Sequence, residues 1–421
     1  MLLVPSPAWE REPWEVFAGR RARLTGKLAD GVAVFFGSTA PARGSLRAAF
    51  RQENNFYYLS GWKEPGAILL LLPKSSQTMP REILYLPPRD PGEERWTGPK
   101  LGPHDQRLPE KTGFAVVRST EAFETDLRQI AAARIYALRW PLGEEERAPN
   151  PAAAAALEKI APRAAILDAR PAVSELRAVK SPGEIDLIQK ALDATVAAHR
   201  AAWRRARPGL YEYQVAATLQ GVLLDRGCQR PAYPPIVGAG LNATILHYME
   251  NSGRLEPGQL LLMDAGCEYS QYAADITRTI PVSGRFTSRQ REIYEIVLGA
   301  QKAALEAVKP GMSLARGGEN SLPEIAYQYL NTHGKDAAGN PLGPYFTHGL
   351  SHHVGLDVQE PFDRQVLLEP GMVITLEPGI YLPEEQIGVR LEDLVLVTAT
   401  GAKLLSSALP REPEAIERAM K

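Results

Sequence analysis

The rhythm of apolar and polar positions changes part-way along the chain. In the first part, short runs of branched and aromatic residues alternate with helical patterns. GVAVFFGS (31–38), GAILLLLP (66–73) and REILYLPP (81–88) are bounded by Gly and Pro and predict strands, as do FAVVRS (114–119) and RIYALRW (134–140). Helical spacing of apolar positions predicts helices over 8–29, 120–132 and 151–162, the last opening on a polyalanine run that favours helix over linker. Alternation of this kind predicts a compact α/β domain.

The second part has a different texture. Ser181 and Pro182 read as the N-cap and first position of a long amphipathic helix, with Glu184 in its first turn. The domain boundary is therefore set just before it, giving domains 1–174 and 175–421. Helices are predicted over 182–206, 211–227 and 288–308, interleaved with paired strands. GQLLLMDAGCEYSQYAADITRTIPV (258–282) reads as two strands joined by a turn, and GMVITLEPGIYL (371–382) with IGVRLEDLVLVT (387–398) repeats the idea. Helices followed by an acid-bearing strand pair, twice over, suit an α+β unit of two similar halves facing one another.

Composition narrows the function. The 421 residues carry 48 basic and 49 acidic side chains, a net charge of -1, which argues against a nucleic-acid or anionic-membrane partner. No apolar run approaches the ~18 residues a membrane helix needs, and the start lacks the pattern of a signal peptide. A cytoplasmic protein is expected. Two cysteines, Cys228 and Cys267, are too few for a disulfide framework or a cysteine zinc site.

Acids occur where strands should be apolar: Asp264 ends LLLMD, Asp275 lies in YAADITRT, Glu377 in VITLEPG and Glu392 in VRLEDLVLV. Singly, each would be an acid at a strand end. Together they are harder to dismiss, because Asp and Glu are seldom buried without a partner and repel one another unless a cation lies among them. An oxygen-rich set with one imidazole suits manganese, with cobalt or zinc also able to bind. It exceeds the four ligands of a single zinc site and fits two metals roughly 3.5–4 Å apart that share a water or hydroxide. Three of the seven histidines crowd into THGLSHHVGLDVQEP (347–361). Adjacent residues on extended backbone face opposite ways, so His352 and His353 should not share a role.

MDAG, followed eleven residues later by the aspartate of DITRT, then HGLSHHVGLDV, LEPGIY and GVRLED, resembles the aminopeptidase P (Xaa-Pro aminopeptidase) branch of the pita-bread metallopeptidases. RQENNFYYLSGWKEPGAILLL and RDPGEERWTGPKLG are similar to the creatinase-like N-terminal domain of those enzymes. The resemblance implies an α/β creatinase-like domain followed by an α+β pita-bread catalytic domain. It implies an enzyme that removes the N-terminal residue from peptides with proline second, by attack of a hydroxide shared between two divalent metals. The implied ligands are Asp264, Asp275, His352, Glu377 and Glu392, with Asp275 and Glu392 bridging and Glu377 also relaying a proton. His247 and His348 are implied as pocket histidines, and Arg390 and Trp96 as shaping the proline side. Relatives commonly form dimers or tetramers, so a homo-oligomer is expected.

Gln359 occupies a position usually held by histidine in that family. A glutamine amide can still donate a hydrogen bond to the scissile carbonyl oxygen, but it cannot carry charge or exchange a proton near neutrality. Turnover should be reduced while the metals still assemble. The connection YLPEEQI (381–387) is also short, which could alter specificity or subunit contacts. Two other readings stand beside the aminopeptidase: a prolidase restricted to Xaa-Pro dipeptides, and a catalytically weakened homologue that binds metal and peptide.

Overall fold

The computed structural model describes residues 9–28, 30–40, 49–73, 79–138 and 151–421. The end residues of the predicted 8–29 helix and the last two of the predicted 134–140 strand lie outside these. Two compact units form: Arg11–Arg177, and Ala178–Lys421 with the described Trp9 and Glu10.

The first unit runs α1 (Trp14–Lys27), β1 (Val32–Phe36), α2 (Asn54–Ser60), β2 (Ile68–Leu71), β3 (Glu82–Leu86), α3 (Pro91–Thr97), α4 (Leu108–Thr112), β4 (Val117–Ser119), α5 (Phe123–Ile130), β5 (Arg134–Ala137), α6 (Pro151–Ile160), β6 (Ala165–Asp168) and α7 (Arg170–Ala178). Its six-stranded sheet has the order β4-β3-β2-β1-β5-β6, with β1–β2 and β2–β3 antiparallel and the other pairs parallel. Val34, Leu70, Ile83, Tyr85 and Ile135 fill the core under Phe123 and Leu127. Each strand expected from apolar runs is present. The helix α2 was not expected, and its sequence shows why. NNFYYLS is buried on nearly every side and carries no amphipathic period. It starts where the Glu53 carboxylate accepts from the N–H groups of Asn55 and Phe56.

The second unit opens with α8 (Pro182–Arg205) and α9 (Glu212–Asp225), packed together. The expected cap of α8 is a full capping box: Ser181 Oγ accepts from Glu184 N–H, and the Glu184 carboxylate accepts from Ser181 N–H. Next come β7 (Arg230–Pro231), β8 (Ile236–Ala239), β9 (Leu260–Ala265), β10 (Cys267–Tyr269), β11 (Tyr272–Ala273) and β12 (Ile276–Pro281). Then α10 (Ser288–Ala307) and α11 (Leu322–His333) pack together, followed by β13 (Val373–Leu376), β14 (Gly379–Leu382), β15 (Ile387–Arg390), β16 (Asp393–Val397), β17 (Ala402–Leu404) and α12 (Pro413–Ala419). Two helix pairs thus each precede a long hairpin.

Both hairpins keep one register from end to end but break their ladder in the middle. In the first, β9 pairs with β12 with Asp264 opposite Thr277, and β10 pairs with β11 with Glu268 opposite Ala273. The break falls at Gly266 and Asp275. A Cβ on Gly266 would lie 1.8 Å from the Ala274 carbonyl oxygen, so only glycine allows this close approach. Ser270 and Gln271, both at positive φ, make the tight turn. In the second hairpin, Leu376 faces Asp393 and Gly379 faces Arg390. Continuing that register puts Glu377 directly opposite Glu392. Among the described residues no helix is long and apolar enough to cross a membrane. Cys228, just past α9, and Cys267, on β10, are joined by a disulfide across 5.6 Å between Cα atoms. This single bridge was not expected, because β10 returns beside the end of α9 only in the folded unit.

Candidate metal centre

The two hairpins meet through their acid-bearing breaks. Glu392 N–H donates to the Thr277 carbonyl at 3.0 Å, and Thr277 Oγ1 donates to Glu392 Oε2 at 2.7 Å. Thr277, two residues after Asp275, therefore serves the opposite hairpin. A third segment lies along β13: Thr375 N–H donates to the His352 carbonyl, and Glu377 N–H to that of Leu350, each at 2.9 Å. This extended backbone aims His352 inward, its Nε2 lying 3.3 Å from Glu377 Oε1 and 3.6 Å from Asp275 Oδ2. One ligand-type atom each from Asp275, His352 and Glu392 lies within 4.8 Å of the others.

Asp264 is tied to the same cluster by two residues. Tyr233 donates through its one hydroxyl to Asp264 Oδ1 and to Asp275 Oδ1. Arg390 Nη2 donates to Asp264 Oδ2 at 2.7 Å, and its Nε lies 3.2 Å from Thr277 Oγ1. The chain of contacts continues outward. Arg390 Nη1 donates to the Tyr381 hydroxyl at 3.0 Å, and that hydroxyl lies 2.7 Å from His348 Nε2. His348 Nδ1 lies 2.9 Å from the Gly349 carbonyl. Since that nitrogen must donate, Nε2 accepts from Tyr381 in the neutral ring. Burial, and then Arg390, hold the His348 pKa down to about 3, which keeps it neutral.

Four acids in an apolar interior have a large electrostatic problem. Asp264, Asp275 and Glu392 are 8%, 5% and 2% exposed. Burial, followed by Asp264, pushes the Asp275 carboxyl well above its ordinary range; burial and Glu392 do the same to Glu377, and burial and Asp275 to Glu392. The Tyr233 phenol is raised too, by burial and then Asp264. Burial holds His352 down to about 4, which leaves a neutral imidazole nitrogen facing the acids. Oxygen donors that favour protonation in each other's presence, around one neutral imidazole, are the donor set that a divalent cation satisfies.

Of the residues singled out in the sequence, Asp264, Asp275, His352, Glu377, Glu392 and Arg390 are gathered here, with His348 3.8 Å from Glu377 Oε2. His247 is exposed, close enough for its charge to act on His348. Gln359 is exposed and makes no side-chain hydrogen bond among the described residues. Trp96 belongs to the other unit, 83% exposed on α3. His353 turns away from the cluster, buried with its ring centroid 4.3 Å from that of Phe362. Tyr233 and Tyr381 were not expected. Tyr233, in RPAYPPIV, carries no periodic or motif signal of its own, and Tyr381 closes the LEPGIY motif without its hydroxyl's role being visible there; the folded backbone reveals both.

Comparison with known proteins agrees with this architecture. The family description Metallopeptidase family M24 matches residues 186–399, and Aminopeptidase P, N-terminal domain matches residues 17–136. The chain is 38% identical to a Xaa-Pro aminopeptidase of Haemophilus influenzae, over 97% of each chain. It is 36% identical to that of Escherichia coli, over 96% of this chain and 97% of the other. The low-pH form of Escherichia coli aminopeptidase P superposes with a TM-score of 0.84 at 34% identity, covering 98% of this chain and 99% of that one.

Proposed function

The chain belongs to metallopeptidase family M24, and from that premise we propose that it releases the first residue from peptides whose second residue is proline. It is a metallo-aminopeptidase of two-domain type. The observation that carries the proposal is the gathering of four carboxylates around the His352 ring in a largely dry interior.

Asp264, Asp275, His352, Glu377 and Glu392 would hold two divalent ions, manganese first, with cobalt or zinc also compatible with oxygen-rich ligation. When bound, such ions lower the pKa of water and polarise the scissile carbonyl. A bond to proline suits this chemistry, because its nitrogen has no N–H for a strand-like substrate site to recognise. Glu377 is assigned to take the proton of the attacking water at its carboxylate and to deliver it to the proline nitrogen as the bond breaks. His348, neutral and held by Tyr381, orients the residue after the scissile bond. His247 meets substrate from the exposed rim, and Arg390 shapes the proline side. Gln359 donates its amide N–H to the carbonyl oxygen. A homo-oligomer and a cytoplasmic setting complete the proposal. In such a setting the Cys228–Cys267 pair would face a reducing pool, from which its burial would shield it.

Incubation with Mn²⁺ and an Xaa-Pro-Yaa tripeptide should liberate Xaa, and should do so faster than from the Xaa-Pro dipeptide. Preference for the dipeptide would make the enzyme a prolidase. Mn²⁺-loaded protein that cleaves neither would leave only a metal- and peptide-binding homologue.

A further inference from the structure

Gln301 lies in the middle of α10 and is 1% exposed. A buried amide is costly unless its donors and acceptor are all used. Here they are used in one place. Nε2 lies 3.0 Å from the Leu376 carbonyl, 3.0 Å from the Leu391 carbonyl and 3.0 Å from Asp393 Oδ2. Oε1 accepts from Arg411 Nη1 at 3.2 Å, which fixes which end of the amide faces which way. Asp393 is itself pinned by Arg278 Nη2 at 2.6 Å and by Ser406 Oγ at 2.5 Å.

Leu376 and Leu391 immediately precede Glu377 and Glu392. They flank the point where the second hairpin breaks its ladder and two like-charged side chains face each other. Within the break the strands share one long backbone hydrogen bond, from Leu391 N–H to the Pro378 carbonyl at 3.3 Å, and repulsion between the acids works against it. One amide spans the gap and grips the strand on each side. The first half has a counterpart: His199, fully buried on α8, places Nε2 3.1 Å from the carbonyl of Ile276, the residue after Asp275.

We propose that Gln301 is a positioning residue, an amide clamp across the broken hairpin that sets the spacing of the Glu377 and Glu392 carboxylates for cation binding. This rests on the divalent-cation site proposed above. It acts on the backbone and touches neither substrate nor ion.

The test is Mn²⁺ titration of chelator-stripped full-length protein, with free Mn²⁺ read by electron paramagnetic resonance. Gln301→Met keeps the volume and removes the donors. It should weaken Mn²⁺ binding by roughly tenfold, the lower end of what outer partners of metal ligands contribute. At saturating Mn²⁺ it should lower kcat more than it changes KM for a proline tripeptide. Gln290→Met is the matched control. It is on the same helix and buried, and its Nε2 donates to the Gly258 carbonyl, which adjoins no candidate ligand. It should cost stability but leave Mn²⁺ affinity unchanged. Equal affinity in Gln301→Met and wild type, or equal losses in both variants, would overturn the clamp. If Gln301→Met does not fold, Arg411→Met, which frees Oε1, should weaken binding roughly threefold, the worth of one modest hydrogen bond; no change there overturns the clamp as well. Wild-type protein that binds no Mn²⁺ sinks the metal site itself, a failure distinct from that of the clamp.

Discussion

The two hairpins of the second unit carry two acids each, but they neutralise them differently. In the first, Asp275 faces a glycine and Asp264 faces Thr277, so neither aspartate confronts another acid across the ladder. Tyr233 donates to both aspartates, and Arg390 brings a full positive charge to Asp264. In the second, Glu377 confronts Glu392 directly, and the donors at hand are the neutral hydroxyls of Thr375, 3.1 Å from Glu377, and Thr277, 2.7 Å from Glu392. Like charges opposite one another in a sheet are destabilising. The first hairpin therefore has a cationic partner for Asp264 from within the chain, although Asp275 stays raised by burial and Asp264, whereas the second has only neutral hydroxyls and leans harder on a cation. The asymmetry separates residues that keep the unit folded from residues that make it bind metal.

The sharpest way to break that contrast is one amide substitution in each hairpin. Glu377→Gln should lower kcat by about 10²–10⁴-fold, the range for loss of a general acid–base group. It should nevertheless raise the melting temperature in chelator at pH 8, because it removes one of two opposed negative charges. Asp264→Asn should do the reverse to stability. It leaves the Arg390 guanidinium, 4% exposed, without its carboxylate, and breaking a buried pair from one side costs about 3–5 kcal/mol. Melting both variants in chelator and again in Mn²⁺ checks the pair of expectations. If both shift in the same direction without metal, the two hairpins do not differ as described.

The same asymmetry explains what could be seen in the chain beforehand. The four acids stood out because each interrupts an apolar strand, and their order, with the motifs around His352, pointed to the family. The helices α8, α9 and α10 and both strand pairs followed from periodicity and capping. Residues that act through folded geometry left no such trace. Tyr233 comes from an irregular proline-rich stretch and Gln301 from the polar minority of an amphipathic helix; Arg390 was implied by its motif, but its pairing with Asp264, 126 residues away, was not. Thr277 sits two residues from Asp275, yet its hydroxyl crosses to Glu392, because side-chain direction depends on how the hairpins meet. Short elements such as α2 and α3 were lost because seven residues carry no usable period.

A smaller effect is expected at Gln359. Its exposed amide can donate to a developing oxyanion but cannot become cationic. Gln359→His should raise kcat by roughly tenfold, well short of the 10²–10³ that complete loss of such a donor costs. Mn²⁺ affinity should not move, since Gln359 makes no hydrogen bond to any of the clustered acids. A gain in affinity with no gain in turnover would show that the position belongs to the second hairpin's metal chemistry and not to substrate.

The smallest effect is in the pH dependence of stability, and its sign follows from two opposed sets of groups. Asp275, Glu377 and Glu392 have folded-state pKa values raised by burial and by one another. Folding without metal therefore takes up protons from about pH 4 upward, and their contribution is lost as pH rises through the raised values. Four histidines, two buried and two half-buried, act the other way. Burial holds His199 and His352 down to about 4 and His348 and His353 down to about 3. Their unfavourable protonation in the unfolded chain ends above about pH 6.5, after which they add nothing further. Below that point the two sets offset each other; above it only the carboxylates remain. Urea midpoints in chelator should therefore fall as pH rises beyond about 6.5. Saturating Mn²⁺ should abolish the fall, because the cation replaces the proton as partner of the second hairpin. A metal-free midpoint that is level or rising over that window would mean that the opposed glutamates are already neutralised from within the chain, and the two hairpins would then be alike.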